Sequence, residues 1–107
     1  MSLEAGRLNK RVTLQSHGIT QDANGTPVEG WSDVSTVWAA VEPLSGREFF
    51  AAAQVQAEQM QRITIRYRPG VTTAMRVAWG GRVFDITAVI DWRERHEFLQ
   101  LMCRELQ

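Results

Sequence analysis

Several shortages bound this 107-residue chain before any motif is read. It has one cysteine, Cys103, so no disulfide can form within it, which fits a reducing compartment. It has one lysine, Lys10, and its 12 basic residues are balanced by 12 acidic ones. A general nucleic-acid binder draws its affinity from a basic surface, and zero net charge argues against that class. No segment is long and apolar enough to span a bilayer, and the N-terminal residues lack the apolar run of a signal peptide. A chain of this length makes one domain over residues 1–107, typically burying only ~60–70% of the surface it exposes when unfolded. A pocket walled on all sides would need several copies assembled around it.

Residues for chemistry are equally sparse. The two histidines, His17 and His96, lie far apart, and neither is spaced with Cys103 as zinc ligands are. No metal and no cofactor is expected. Ser16 and His17 are neighbours, which on a strand sends them to opposite faces, so they make no nucleophile–base pair. Cys103 alternates with Leu99 and Leu101 and reads as core. Gly80-Gly81 opens no helix, so it is not a phosphate loop. No catalytic residue is proposed, and the chain is read as a non-enzyme.

What the chain does have is period-two alternation. Leu8, Val12 and Leu14 share one face of a first strand, with Arg11, Thr13 and Gln15 on the other. The pattern breaks over His17–Gly30, where three glycines, Pro27 and an Asn24-Gly25 turn signal form a 14-residue connection. This reads either as a long hairpin tip or as a projecting flexible loop. Trp31–Glu42 is a strand apolar on both faces, with Val37, Ala39 and Val41 opposed to Trp38 and Ala40, and Pro43 ends it. Ser45 and Glu48 make a capping box for one short helix from Leu44 to about Ala57. Phe49 and Phe50 point apart on that helix, leaving Phe50 as a surplus apolar residue.

The segment Gln61–Asp91 settles the class. Ile63, Ile65 and Tyr67 alternate inward, against Arg62, Thr64, Arg66 and Arg68. Pro69-Gly70 suits a type II turn. Met75–Trp79 and Arg82–Ile90 form a hairpin about Gly80-Gly81, setting Val77 opposite Phe84 and Arg76 opposite Asp85 as a cross-strand ion pair. Phe98–Glu105 is the last strand, and His96 is a polar turn residue before it. The expectation is a mainly β fold: a small barrel or curved sandwich of about six strands, with a long loop between the first two and one short α-helix. The arginines of this segment are read as a solvated face, a seam between subunits or a surface turned to DNA.

The ordered set of short motifs resembles a family. GRLNKRVTLQ, DANG, STVWAAVEPLSGREFFAA, ITIRYRPGVTTAMRV, GGRVFDITAVID and LQLMCRE, spanning about Gly6 to Glu105, are similar to bacteriophage head–tail joining proteins, also called head–tail adaptor, head completion or stopper proteins. The resemblance implies a β-barrel subunit of a ring in the neck of a phage or prophage particle, assembled in the host cytoplasm. Such a ring joins the DNA-filled head to the tail and lines or closes the DNA channel. Its partners would be further copies of itself, portal or adaptor proteins and tail-completion proteins, with at most weak, non-specific contact with channel DNA. Expected assembly contacts are Asp22, Asn24 and Gly25 in the loop and Arg47 and Phe50 in the helix. Arg62, Arg66 and Arg68 are expected to face DNA or a neighbouring subunit. The alternative is a small β-barrel module that binds nucleic acid or protein outside any virion.

Overall fold

A computed structural model describes residues 5–44 and 60–106. Six strands, β1 (Lys10–Gln21), β2 (Pro27–Pro43), β3 (Met60–Arg66), β4 (Arg76–Trp79), β5 (Arg82–Asp91) and β6 (Phe98–Leu106), close into a barrel in the order β1-β2-β3-β6-β5-β4. Every pairing is antiparallel, and β4 closes the ring onto β1 from Thr13↔Ala78 to Gln15↔Arg76. Short 3-10 turns cover Ala5–Arg7 and Trp92–Glu94. The expected α-helix lies outside the described residues, as do Arg47 and Phe50.

Each strand supplies the interior by alternation. Val12 and Leu14 from β1, Ala39 from β2, Ile63 and Ile65 from β3, Val77 from β4, Phe84 from β5 and Leu101 and Cys103 from β6 are all wholly buried. Full burial of a side chain such as Phe84 is worth about 1.5–3 kcal/mol. The β4–β5 register is the one the sequence predicts, with Val77 opposite Phe84. Gly80 and Gly81 both take positive φ, +57° and +82°, as a two-residue turn of the mirror-image type requires. Gly70 takes φ +85°, the value the third residue of a type II turn needs.

Four expectations are corrected. The stretch His17–Gly30 is mostly strand: β1 runs on to Gln21 and β2 starts at Pro27, paired through His17↔Trp31, Gly18↔Gly30 and Ile19↔Glu29. Only Asp22–Thr26 connects them, so of the two readings the hairpin is the one the structure has. Arg76 does stand opposite Asp85, but the ion pair goes elsewhere. Arg76 donates to Gln15, while Asp85 lies 3.6 Å from Arg104 on its other neighbour, β6. Thr64 is wholly buried although alternation places it on the outer face, and its hydroxyl has no hydrogen-bond partner among the described residues. Tyr67 is 37% exposed because β3 ends at Arg66, so alternation no longer directs the ring inward.

Trp38, on the second apolar face of β2, is 52% exposed. β2 is shared in sequence: Pro27–Ala39 pairs with β1 and Ala39–Pro43 with β3, so Trp38 sits where the strand passes from one neighbour to the other.

Candidate functional site

Two surfaces stand out, at opposite ends of β1. The first is an arm. The last contact of β1 with β4 is at Gln15, and β2 first meets β3 at Ala39. Beyond those points the two strands pair only with each other among the described residues. The β1–β2 register shifts between Leu14 and Gln15, so Val34 is an extra residue on β2. Such a bulge bends the strand and increases its twist, here at the point where the ribbon leaves the barrel.

The register assigns the arm's faces. Ser16, Gly18 and Thr20 oppose Ser32, Gly30 and Val28 on the face continuous with the barrel interior. Gln15, His17 and Ile19 oppose Asp33, Trp31 and Glu29 on the face continuous with the barrel exterior. The inner face therefore turns small and mostly polar as soon as it leaves the core, while the outer face carries the large apolar groups Trp31 and Ile19. At the root these are fastened to the barrel. Arg76 from β4 stacks its guanidinium 4.3 Å from the Trp31 ring centre and donates to Gln15 Oε1 at 2.7 Å. Gln15 Nε2 in turn donates to Asp33 Oδ1 at 2.8 Å, and His17 meets Trp31 edge-on at 5.2 Å. Further out, Ile19 is 71% exposed beside Glu29.

The tip is organised by Asp22, whose Oδ1 accepts from the backbone N–H groups of Asn24 (2.9 Å) and Thr26 (3.0 Å). Gly25 takes φ +79°. The sequence-predicted contacts Asp22, Asn24 and Gly25 thus stand together at the end of the arm, where Asp22 and Gly25 also shape the turn.

The second surface is a cleft of about 590 Å³ formed by Leu8, Asn9 and Arg11, by Thr36–Trp38 and by Arg66–Arg68. The Arg11 guanidinium lies 4.8 Å from the Trp38 ring centre. Tyr67 donates its backbone N–H to Glu97 O at 2.9 Å, and its ring stacks on His96 at 4.4 Å. His96 is itself held by Asp91, which accepts from its backbone N–H and lies 3.2 Å from its Nε2. The turn that presents His96 has three non-glycine residues at positive φ, Arg93, Glu94 and His96. Among the described residues no acid lines the cleft, and Arg11, Arg66 and Arg68 have no carboxylate partner there.

The arginines that cluster in sequence are thus separated in space. Arg66 and Arg68 share the cleft; Arg62 lies 3.8 Å from Glu42; Arg76 secures the arm. Arg82 makes a bidentate pair with Glu105, at 2.9 and 2.7 Å, which raises its own pKa and holds the Glu105 carboxyl below its ordinary range through those hydrogen bonds. Sequence reasoning missed Arg11, Trp38 and Tyr67 as members of one surface. The available signal was Trp38, an aromatic on the outward face of a strand.

No catalytic arrangement forms among the described residues. His17 is engaged by Trp31 and His96 by Tyr67 and Asp91. Cys103 is sealed in the barrel, where burial first and Asp85 second push its thiol up to about 12. No group of three or more His, Cys, Asp or Glu residues among those described could hold a metal ion. No helix there is long and apolar enough to cross a membrane.

Comparison with known proteins places this architecture. The phage head completion protein family matches residues 3–106. Head completion protein gp7 of Enterobacteria phage HK97 is 31% identical over 75 residues, covering 70% of this chain and 67% of that protein. The solution structure of protein SF1141 from Shigella flexneri 2a is 32% identical and superposes with a TM-score of 0.76, over 96% of both chains. A chain in the virion of the native gene transfer agent particle shares the fold at 22% identity and a TM-score of 0.62, covering 92% of this chain and 96% of that one. The chain belongs to the phage head completion proteins, structural proteins of head–tail joining.

Proposed function

We propose that this chain is a ring-forming subunit of the phage or prophage neck. Copies stand below the portal, join the DNA-filled head to the tail, and line or close the channel. The observation that carries this reading is the arm. A closed barrel has no free edges, yet this one extends a two-stranded ribbon with outer edges unpaired among the described residues and exposed apolar side chains at Ile19, Val28 and Val34. An isolated hairpin of this kind is marginal in water, and a neighbour would complete it. Family membership supplies the context: the HK97 relative is named a head completion protein, and a chain of the same fold stands in a gene transfer agent virion.

In this reading Asp22, Asn24 and Gly25 at the tip meet a neighbouring copy, a portal or adaptor protein, or a tail-completion protein. Assembly takes place in the host cytoplasm, and the finished ring lies in the virion neck. Any contact with channel DNA is weak and salt-sensitive, because only a few guanidinium groups per copy are free to meet phosphate. The test is an electron cryomicroscopy reconstruction of the particle that encodes this chain. A ring of copies between portal and tail is the expected result, and absence of the chain from the neck overturns the proposal. A shortened arm, with Gly18–Gly30 replaced by Asn-Gly, should leave the barrel folded and stop heads from joining tails.

A further inference from the structure

We infer that the arm of one copy seats in the arginine cleft of the next, its Ile19–Glu29 pair against Trp38, Tyr67, Arg66 and Arg68. The inference rests on the ring reading and names the contact that builds the ring.

Charge carries the argument. Between Arg11 and Arg47 the chain has no lysine or arginine, while Asp22, Glu29 and Asp33 lie on the arm. Asp33 is occupied by Gln15, and Asp22 serves the turn while keeping its charge outward at the tip. Glu29 is exposed on the outer face directly opposite Ile19. The cleft is the reverse, with three guanidinium groups, no lining acid among the described residues, and two exposed aromatic rings. A carboxylate there gains charge-assisted hydrogen bonds to arginine forks, and Ile19 gains apolar cover from Trp38 and Tyr67. Within a chain of zero net charge, the arm is thus an acidic patch and the cleft a basic one.

Geometry makes the contact intermolecular. Arg11 borders the cleft at the start of β1 and Gln21 ends the arm on the same strand, ten residues on. At about 3.4 Å per residue these lie roughly 34 Å apart, so the arm cannot fold back into its own cleft. Two different patches at opposite ends of one molecule make a head-to-tail interface, the kind that generates a ring when the rotation closes. Each contact is small, and the closed ring gains strength from their number.

The experiment uses two readouts on particles that carry the full chain. The first is charge exchange. Glu29→Arg alone, and Arg66→Glu with Arg68→Glu, should each lower the yield of joined particles about tenfold or more, and all three together should restore it. Failure of the triple variant to improve on either parent overturns the inference. The second is cross-linking with a short bismaleimide of a chain carrying Ile19→Cys and Tyr67→Cys. Cys103, buried and protonated, does not compete for the reagent. A ladder of multimers is expected from the double variant and only dimers or less from either single one. If reconstruction shows a ring of this chain and no ladder forms, the arm–cleft contact is wrong and the ring stands. A chain absent from the particles overturns the ring reading itself. Loss of joining with Arg66→Glu and Arg68→Glu, no effect of Glu29→Arg, and salt-sensitive binding of single-stranded DNA that needs Arg66 and Arg68 would assign the cleft to DNA instead.

Discussion

Val12 and Leu14 are wholly buried, while Ile19, five residues further along the same strand, is 71% exposed. The two halves of β1 differ in what surrounds them. The first has β2 on one side, β4 on the other and a filled interior beneath it; the second, among the described residues, has β2 alone. Along the inner face the chain changes from Val12 and Leu14 to Ser16, Gly18 and Thr20, so the core ends where the supply of apolar side chains ends. Barrel and arm are thus one ladder with two kinds of stability. The barrel rests on its own packing, and the arm is held at its root by Trp31, Arg76 and Gln15 and is otherwise an unfinished surface.

The sharpest way to break that division is a pair of truncations. Phe84→Ala, at the barrel centre, should lower unfolding free energy by about 3–5 kcal/mol, the usual range for a buried aromatic. Ile19→Ala on the arm should change it by no more than about 0.5 kcal/mol. Denaturant titration of both variants decides the point. A loss of several kcal/mol from Ile19→Ala would mean that the arm is part of the cooperative fold.

The same contrast governs what the sequence could reveal. The register of the β4–β5 hairpin was legible because turn chemistry and alternation agree there: Gly80-Gly81 dictates the connection, and Val77 and Phe84 fall on one face. The arm was harder to read because strand periodicity is a signature of burial on one side. Once Ser16 and Gly18 replace apolar residues on the inner face, a ladder of hydrogen bonds continues with no period-two signal to report it. The cleft was less legible still. Its arginines are 55 or more positions from Arg11 in sequence, and only the β1–β2–β3 pairing brings Trp38 between them. Composition gave the right inventory of arginines and no means of sorting Arg82, committed to Glu105, from Arg66 and Arg68.

Smaller effects sharpen the comparison from the barrel side. Gly81→Ala forces a side chain onto a φ of +82° and should cost about 1–2 kcal/mol. Alkaline pH acts on the barrel through Cys103. The fold holds the Cys103 thiol up at about 12, well above its unfolded value, so folding favours the neutral form. That stability is complete below about pH 8.5 and is lost as pH rises toward 12, by roughly 1–2 kcal/mol at pH 10. Unfolding curves at pH 7 and 10 should show the drop, and Cys103→Ala should abolish the difference between the two pH values. Glu105 gives the opposite slope at the acid end. Its carboxyl is held low by Arg82, so its contribution is present above the unfolded carboxylate range and fades as pH falls through the folded one. The pair is partly exposed, so the acid effect should be minor and weaken with salt.

The smallest expected effect tests the arm from within. Gly18 and Gly30 face each other across the ladder, neither takes a positive φ, and a Cβ at either would meet nothing within 4 Å. Unlike Gly81, they are not demanded by the backbone or by crowding in this chain. Alanine at Gly18 narrows the unfolded ensemble and should stabilise the ribbon locally by about 0.4–1 kcal/mol. With the arm opening independently of the barrel, as this division predicts, that gain should leave the global unfolding midpoint almost unmoved and appear instead as slower amide hydrogen exchange at Ile19 and Val28. A rise in the global midpoint with no local change would show that arm and barrel unfold together. Slower exchange in the arm alone would establish the ribbon as a separate unit whose order is set by its own glycine pair and, in an assembly, by whatever closes over it.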